Sequence, residues 1–278
     1  MNKDQMPPGR RSVFRIAACL GAAVVGGLLV RERAETPGRP PADGEAGGPQ
    51  AAAPPPKATT YRLQPMAAYA EPALRRARPP VRKRPFLEVP GMGRTMVLTF
   101  DDGPDPRYTP DILAILREHG VRAMFFVCGE MATHNRDLLR EMADDGHVVG
   151  NHTWSHPLVP KLPPSGIRDQ LGRTSEVIEK SLGEAPLWYR APYGAWNRHS
   201  FEIGAELGME PLGWTLDTLD WTRPGTSTIV RRVMRGAAPG VVVLSHDAGG
   251  NRSQSVAALR SYLPKLLDDG YWITVPRR

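Results

Sequence analysis

From Thr95 onward, short apolar runs alternate with stretches of helical periodicity, and this alternation narrows the folds open to the chain more than any other feature. Seven runs read as strands: Thr95 to Phe100, Arg122 to Val127, His147 to Asn151, Leu187 to Arg190, Pro211 to Thr215, Gly240 to Ser245 and Tyr271 to Val275. Between them lie predicted helices over Thr109 to His119, Asn135 to Asp144, Pro164 to Leu182, Arg198 to Leu207, Thr226 to Arg235 and Ser253 to Asp268. The first helix carries Ile112, Leu113, Ile115 and Leu116 on one face. Six strand-helix units and a closing strand imply an α/β fold, a parallel sheet with right-handed crossovers that is either open or curled into an irregular barrel.

The preceding 90 residues have a different character. Arg10-Arg11-Ser12-Val13-Phe14-Arg15 leads into an uncharged apolar stretch, Ile16 to Val30, so residues 1–33 read as an export signal or an N-terminal membrane anchor. Fifteen helical residues span about 22 Å, short of the roughly 30 Å apolar core of a bilayer, which favours a signal. No Ala-x-Ala cleavage site follows Val30, so an anchor with membrane contact stays open. The paired arginines resemble a twin-arginine export signal. Residues 34–90 are dense in Pro, Ala and Gly and end in a basic cluster, Arg82-Lys83-Arg84. A stretch of that kind buries too little apolar surface to offset its ordering entropy, and a disordered linker is expected, with the catalytic domain over residues 91–278.

Charge follows the same division. Residues 1–90 hold 15 Lys and Arg against 7 Asp and Glu, whereas residues 91–278 hold 21 against 22. The domain therefore lacks the electrostatic basis for a nucleic-acid partner, and the basic segment suits an anionic membrane or wall polymer. Cys19 and Cys128 are the two cysteines, so no disulfide framework is available within the domain. Cys128 follows Phe125-Phe126-Val127 and reads as a buried thiol, and a monomer is expected.

The chemically loaded residues fall just after predicted strands: Asp101-Asp102 after the first, His152 and His156 after the third, Arg190 at the fourth, Asp217 and Asp220 after the fifth, His246 after the sixth. Parallel α/β folds place their sites at that end. His152 and His156 stand at i and i+4, a spacing that one helical turn or a compact loop can converge on a single cation. Alone, such a pair is more often packing than a ligand set, and paired acids before Gly103-Pro104 more often mark a turn. Together they supply one carboxylate and two imidazoles, which suits a divalent metal, zinc first, with cobalt, nickel or manganese as alternatives. Adjacent carboxylates project in different directions, so we assign Asp102 to the metal and Asp101 to a general base. Hydrolysis also needs a proton donor for the leaving group, and His246 is the candidate, weighed against a histidine merely satisfied at a strand end.

Five motifs now stand in order: Thr99-Phe100-Asp101-Asp102-Gly103, His152-Thr153-Trp154-Ser155-His156, Arg190-Ala191-Pro192-Tyr193, Asp217-Thr218-Leu219-Asp220-Trp221 and Leu244-Ser245-His246. They resemble the polysaccharide deacetylase family, also called the NodB homology domain or carbohydrate esterase family 4, over about Arg94 to Val275. The resemblance implies a distorted (β/α)7 barrel and a metal-dependent hydrolase that removes N-acetyl groups from the amino sugars of a polysaccharide. It implies Asp101 as base, Asp102, His152 and His156 on the metal, Arg190 paired with Asp101, and Asp220 supporting His246. Tyr193, Trp221, Asp217 and Leu244 would then bind substrate, with the Tyr193 backbone N–H stabilising an oxyanion.

The same groups serve ester cleavage, so an acetylxylan O-esterase and a chitin or chitooligosaccharide deacetylase stay open beside a peptidoglycan deacetylase. An inactive carbohydrate-binding relative is a further alternative, against which the intact Asp101, Asp102, His152, His156 and His246 count. No Gly-x-Ser-x-Gly elbow, His-Glu-x-x-His helix or Walker loop points to another chemistry. The export signal and basic spacer favour the cell's own wall, so peptidoglycan outside the cytoplasmic membrane is the expected polysaccharide partner.

Overall fold

The computed structural model describes residues 77–89 and 93–276. The expected signal or anchor and most of the expected linker lie outside the described residues. The strands are β1 (Thr95–Asp101), β2 (Met124–Val127), β3 (Val148–Asn151), β4 (Trp188–Tyr189), β5 (Glu210–Pro211), β6 (Leu216–Asp217), β7 (Val242–His246) and β8 (Trp272–Ile273). They pair in parallel, in the order β5-β4-β3-β2-β1-β7-β6, with β8 also on β1. The helices are α1 (Thr109–Glu118), α2 (Gly129–His134), α3 (Arg136–Asp144), α4 (Pro164–Leu182), α5 (Arg198–Glu206), α6 (Thr226–Gly236) and α7 (Ser253–Asp268). This is the expected α/β architecture, a curled parallel sheet with helices packed on one face.

Side-chain alternation along β1 decides what faces where. Met96, Leu98 and Phe100 join the larger core under the helices, with Ile112, Leu113, Ile115 and Leu116 of α1. The Phe100 ring stacks on Phe125 of β2 at 5.2 Å between centroids. The intervening Val97, Thr99 and Asp101 face the concave side, where Val97 packs in a smaller core with Met124, Phe126, Trp188, Leu212 and Val242. Asp101 thus stands at the top of an inward column because the strand period leaves it no other side. Two helix boundaries follow from capping: α4 stops at Gly183, whose φ of 80° suits glycine, and Asn197 and Ser200 form a capping box at the start of α5.

Two expectations change. The strand expected over Pro211 to Thr215 divides: β5 ends at Pro211 on one edge of the sheet, and the chain crosses through Leu212–Thr215 to begin β6 on the other edge. The cause is competition for backbone groups, since the Leu212 and Gly213 carbonyls accept from Arg190 and Gly213 N–H donates to Phe86. The expected linker also ends too late. Phe86 bridges Leu212 in parallel and Glu88 bridges Val241 antiparallel, so residues 85–89 run along the domain. Arg82 reaches the buried Glu210 through two hydrogen bonds of 2.9 Å. Among the described residues, no helix is long and apolar enough to cross a membrane.

Candidate active site

Five strand ends deliver the site. Asp101 closes β1, His152 follows β3, Arg190 follows β4, Asp217 ends β6 and His246 ends β7. Backbone bonds hold these ends in register: Asp101 pairs with His246 across β1 and β7, His152 N–H donates to the Val127 carbonyl, and Arg190 N–H donates to that of Asn151. His152 and His156 are joined by a loop and not a helix turn; Thr153 and His156 both take positive φ, 68° and 57°. Asp102 at 79° and Tyr193 at 61° do the same. Non-glycine residues bear such conformations at a cost of roughly 1–3 kcal/mol each, sustained here by the surrounding packing.

The ligand atoms of Asp102, His152 and His156 lie within 4.8 Å of one another. Asp102 Oδ1 is 3.6 Å from His152 Nε2 and 3.3 Å from His156 Nε2, and it is buried without a hydrogen-bond partner. An orphaned buried carboxylate oxygen is costly, and a cation between it and the imidazoles would satisfy it. His152 Nδ1 lies 2.8 Å from the Arg190 carbonyl, which fixes the proton on Nδ1 and leaves the Nε2 lone pair facing the cluster. Burial holds the His152 ring neutral, lowering its pKa to about 3 despite Asp102. The three residues therefore fit a divalent metal.

Behind this cluster lies a fully buried ion pair. The Arg190 guanidinium donates to Asp101 Oδ1 at 2.7 Å and to Thr99 Oγ1 at 2.7 Å, with Leu212 and Gly213 carbonyls at 3.0 and 2.8 Å accepting two more of its protons. It also sits 4.2 Å over the Phe126 ring. Burial pushes the Asp101 carboxyl above the usual carboxylate range, against the pull of Arg190, and lowers the guanidinium, which Asp101 in turn supports. Asp101 Oδ2 points to the ligand side, 3.6 Å from His152 Nε2.

On the other wall, His246 Nδ1 meets Asp220 Oδ1 at 2.7 Å, while Asp220 Oδ2 accepts from His246 N–H at 2.9 Å and from Ser255 Oγ at 2.6 Å. Burial works against a charged His246 ring, but the Asp220 hydrogen bond and charge, with Asp102 and Asp101 beyond, outweigh it and raise the ring to about 9. Asp220 keeps a pKa below the usual range, because its bonds to His246 and Ser255 override its own burial. Burial raises the Asp217 carboxyl.

These side chains open on a cavity of about 420 Å³, lined by Asp101, Asp102, His152, His156, Tyr193, Trp214, Asp217, Trp221, Leu244 and His246. Arg190 and Asp220 stand one layer back, each behind a residue that reaches the cavity. A second hollow of about 370 Å³ adjoins it across Asp102, His156 and Tyr193, with Glu130 and Trp154 in its wall. Exposed Tyr193 and Trp221 form the rim.

The sequence reading missed Trp214, Ser255 and Asp247. Asp247 is fully buried, accepts from Gly103 N–H at 3.1 Å and from Thr109 Oγ1 at 2.6 Å, and so ties β7 to the loop after β1. Its place directly after His246 was the available signal. Cys128 is the buried thiol expected, its pKa raised well above normal by burial.

Residues 88–212 match the polysaccharide deacetylase family model. A chitooligosaccharide deacetylase of Bradyrhizobium sp. (strain ANU 289) is 36% identical over 203 residues, which cover 69% of this chain and 92% of that protein. The chain belongs to the polysaccharide deacetylase family. A peptidoglycan-N-acetylglucosamine deacetylase of Bacillus cereus is 38% identical over 191 residues, covering 68% of this chain and 89% of the relative. Among solved structures, a pseudoenzyme of this same carbohydrate esterase family 4 from Bacillus anthracis aligns with a TM-score of 0.64 and 32% identity, over 69% of this chain and 67% of its own. A family that includes a pseudoenzyme leaves the question of turnover to the residues of each polysaccharide deacetylase chain.

Proposed function

We propose that the protein is a metal-dependent deacetylase that hydrolyses N-acetyl groups of amino sugars in a cell-wall polysaccharide, peptidoglycan foremost, outside the cytoplasmic membrane. The observation that carries this reading is the unpartnered Asp102 Oδ1 between two imidazole nitrogens, flanked by buried Asp101 on one side and the Asp220-supported His246 on the other. Asp102, His152 and His156 would hold a divalent cation, zinc first, which when bound polarises the acetyl carbonyl and makes water more acidic.

The chain's own groups do the rest. Asp101 takes a proton from the attacking water as its oxygen bonds the carbonyl carbon; its raised affinity for a proton, from burial, suits that task. Arg190 keeps Oδ1 occupied, so the proton goes to Oδ2 on the ligand side. His246, protonated at neutral pH, gives its proton to the sugar nitrogen as the C–N bond breaks, releasing acetate and a free amine. Asp217, Leu244, Trp214 and Trp221 would enclose the acetyl group and sugar ring, and the adjoining hollow past Tyr193 gives a polymer room to continue. The peptidoglycan preference draws on the Bacillus cereus relative's name and on the basic, export-like N-terminal sequence.

Acetate release from peptidoglycan, N-acetylglucosamine oligomers and acetylated xylan tests the reading. We expect release from the first two, loss after chelation and recovery with zinc. Release from xylan alone would replace the N-deacetylase reading with an O-esterase, and turnover indifferent to chelation would end the metal-dependent one.

A further inference from the structure

Arg190 depends on acceptors just past the end of β5, where Leu212 N–H still reaches the Tyr189 carbonyl of β4 at 3.0 Å but Gly213 N–H turns instead to Phe86. The Arg190 Nε and one terminal nitrogen donate to the carbonyls of Leu212 and Gly213, which lie in the crossing between β5 and β6. What brackets that crossing is the segment ahead of β1. Phe86 N–H donates to the Pro211 carbonyl at 2.9 Å, and the Phe86 carbonyl accepts from Gly213 N–H at 2.6 Å. The approach is close enough that a Cβ on Gly213 would lie 2.8 Å from Leu87 Cδ2 and 3.4 Å from the Phe86 carbonyl oxygen. Three further contacts anchor the segment: the Arg82 fork on Glu210, the Phe86 ring edge-on to Trp188 at 6.2 Å, and Val89 N–H on the Gly240 carbonyl at 3.0 Å.

We infer that residues 82–89 are a positioning element of the active site, because together with β4 they set the two carbonyls, Gly213 above all, that clamp the Arg190 guanidinium against Asp101. A buried guanidinium has a rigid fork of donors and tolerates little error in its acceptors. If the crossing relaxes, Arg190 follows it, and Asp101 loses the partner that occupies Oδ1 and keeps Oδ2 turned to the ligand side. None of residues 82–89 lines the cavity, so the effect is on turnover and not on substrate contact. The part of this inference that concerns turnover rests on the proposed deacetylase reaction.

The test uses the full chain with Phe86→Pro, which deletes the N–H donor and the ring on Trp188, and with Arg82→Ala as a second variant at the partly exposed end of the segment, should the proline variant fail to fold. Solvent exchange of the Arg190 Nε–H is followed by NMR beside the buried Val243 amide of β7, which reports global opening. We expect Arg190 exchange to quicken about tenfold with Val243 unchanged, and kcat to fall about fivefold with KM and zinc stoichiometry unchanged. Arg82→Lys should restore part of the loss, and the effect should shrink in an Arg190→Lys background. Wild-type exchange at Arg190 in both variants, exchange that rises equally at Val243, or an undiminished effect without Arg190 would overturn the inference. Absence of deacetylation by the unmodified chain would instead strike the proposed function, and the exchange rates would still decide the positioning role.

Discussion

Replacing Asp220 by Asn removes the charge that keeps His246 protonated, and the size of the effect follows from the geometry. With Asp220 the ring titrates near 9, and burial is opposed chiefly by the 2.7 Å hydrogen bond and the adjacent carboxylate. Without that charge, and with a bound cation offsetting Asp102 and Asp101, burial is left to hold the ring at or below its ordinary value of about 6.5. The interval corresponds to about 3 kcal/mol of support for the charged imidazole. At pH 8 the protonated fraction would drop from about nine-tenths to a few hundredths, so kcat should fall about thirtyfold, while near pH 6 the two proteins should differ far less. The assay is acetate release against pH: the alkaline limb of kcat should move from about 9 to 6.5 or below. A bound cation would offset the Asp101 and Asp102 contributions but leaves the Asp220 bond, the largest raising influence, in place. Linkage supplies a second reading on the metal-free protein. A histidine with a raised folded pKa contributes its stability fully below about 6.5 and loses it as pH rises through about 9, so the urea midpoint of the unmodified protein should decline over that window. The decline should flatten in Asp220→Asn. An alkaline limb that stays at its original pH would refute the assignment of His246 as the acid.

Asp101→Asn should abolish measurable acetate release while zinc still binds with one ion per chain, as seen by metal analysis, because Asp101 is not among the three clustered donors. In Gly249→Ala the new Cβ would overlap Asp102 Oδ2, and at a φ of 73° the alanine is strained as well; zinc affinity by chelator competition should weaken at least about tenfold. Phe125→Ala empties a site between Phe100 and His147 in the main core, and a loss of about 3–5 kcal/mol is expected in denaturant titration, with unaltered zinc stoichiometry in the folded fraction.

Legibility in the sequence varied with the range of the interactions. Long amphipathic helices declared themselves: α4 and α7 occupy the residues expected, since a buried stripe repeated over several turns is a strong local signal. The six-residue α2, starting at Gly129, gave no such repeat and was missed. The two-residue strands β5 and β6 were merged into one because neither is long enough to show a period of two, and Pro211 removes one backbone donor there. Residues 77–89 looked like linker by composition, and only their hydrogen bonds to chain more than 100 residues away make them part of the domain.

From the sequence alone came the alternation of the longer strands and helices, the clustering of acids and histidines after the strands, and the confinement of the basic excess to residues 1–90. These are properties of neighbours along the chain, where side-chain period and residue type suffice. The tertiary structure alone decided that Asp102 Oδ1 is left without a partner, that Arg190 is clamped by two carbonyls of the β5–β6 crossing, and that Asp247 and Ser255 stand behind the reactive groups. Hydrogen bonds and desolvation act over a few ångströms in space whatever the separation in sequence, so the folded chain sets which atom is buried, which proton is held and which oxygen remains free.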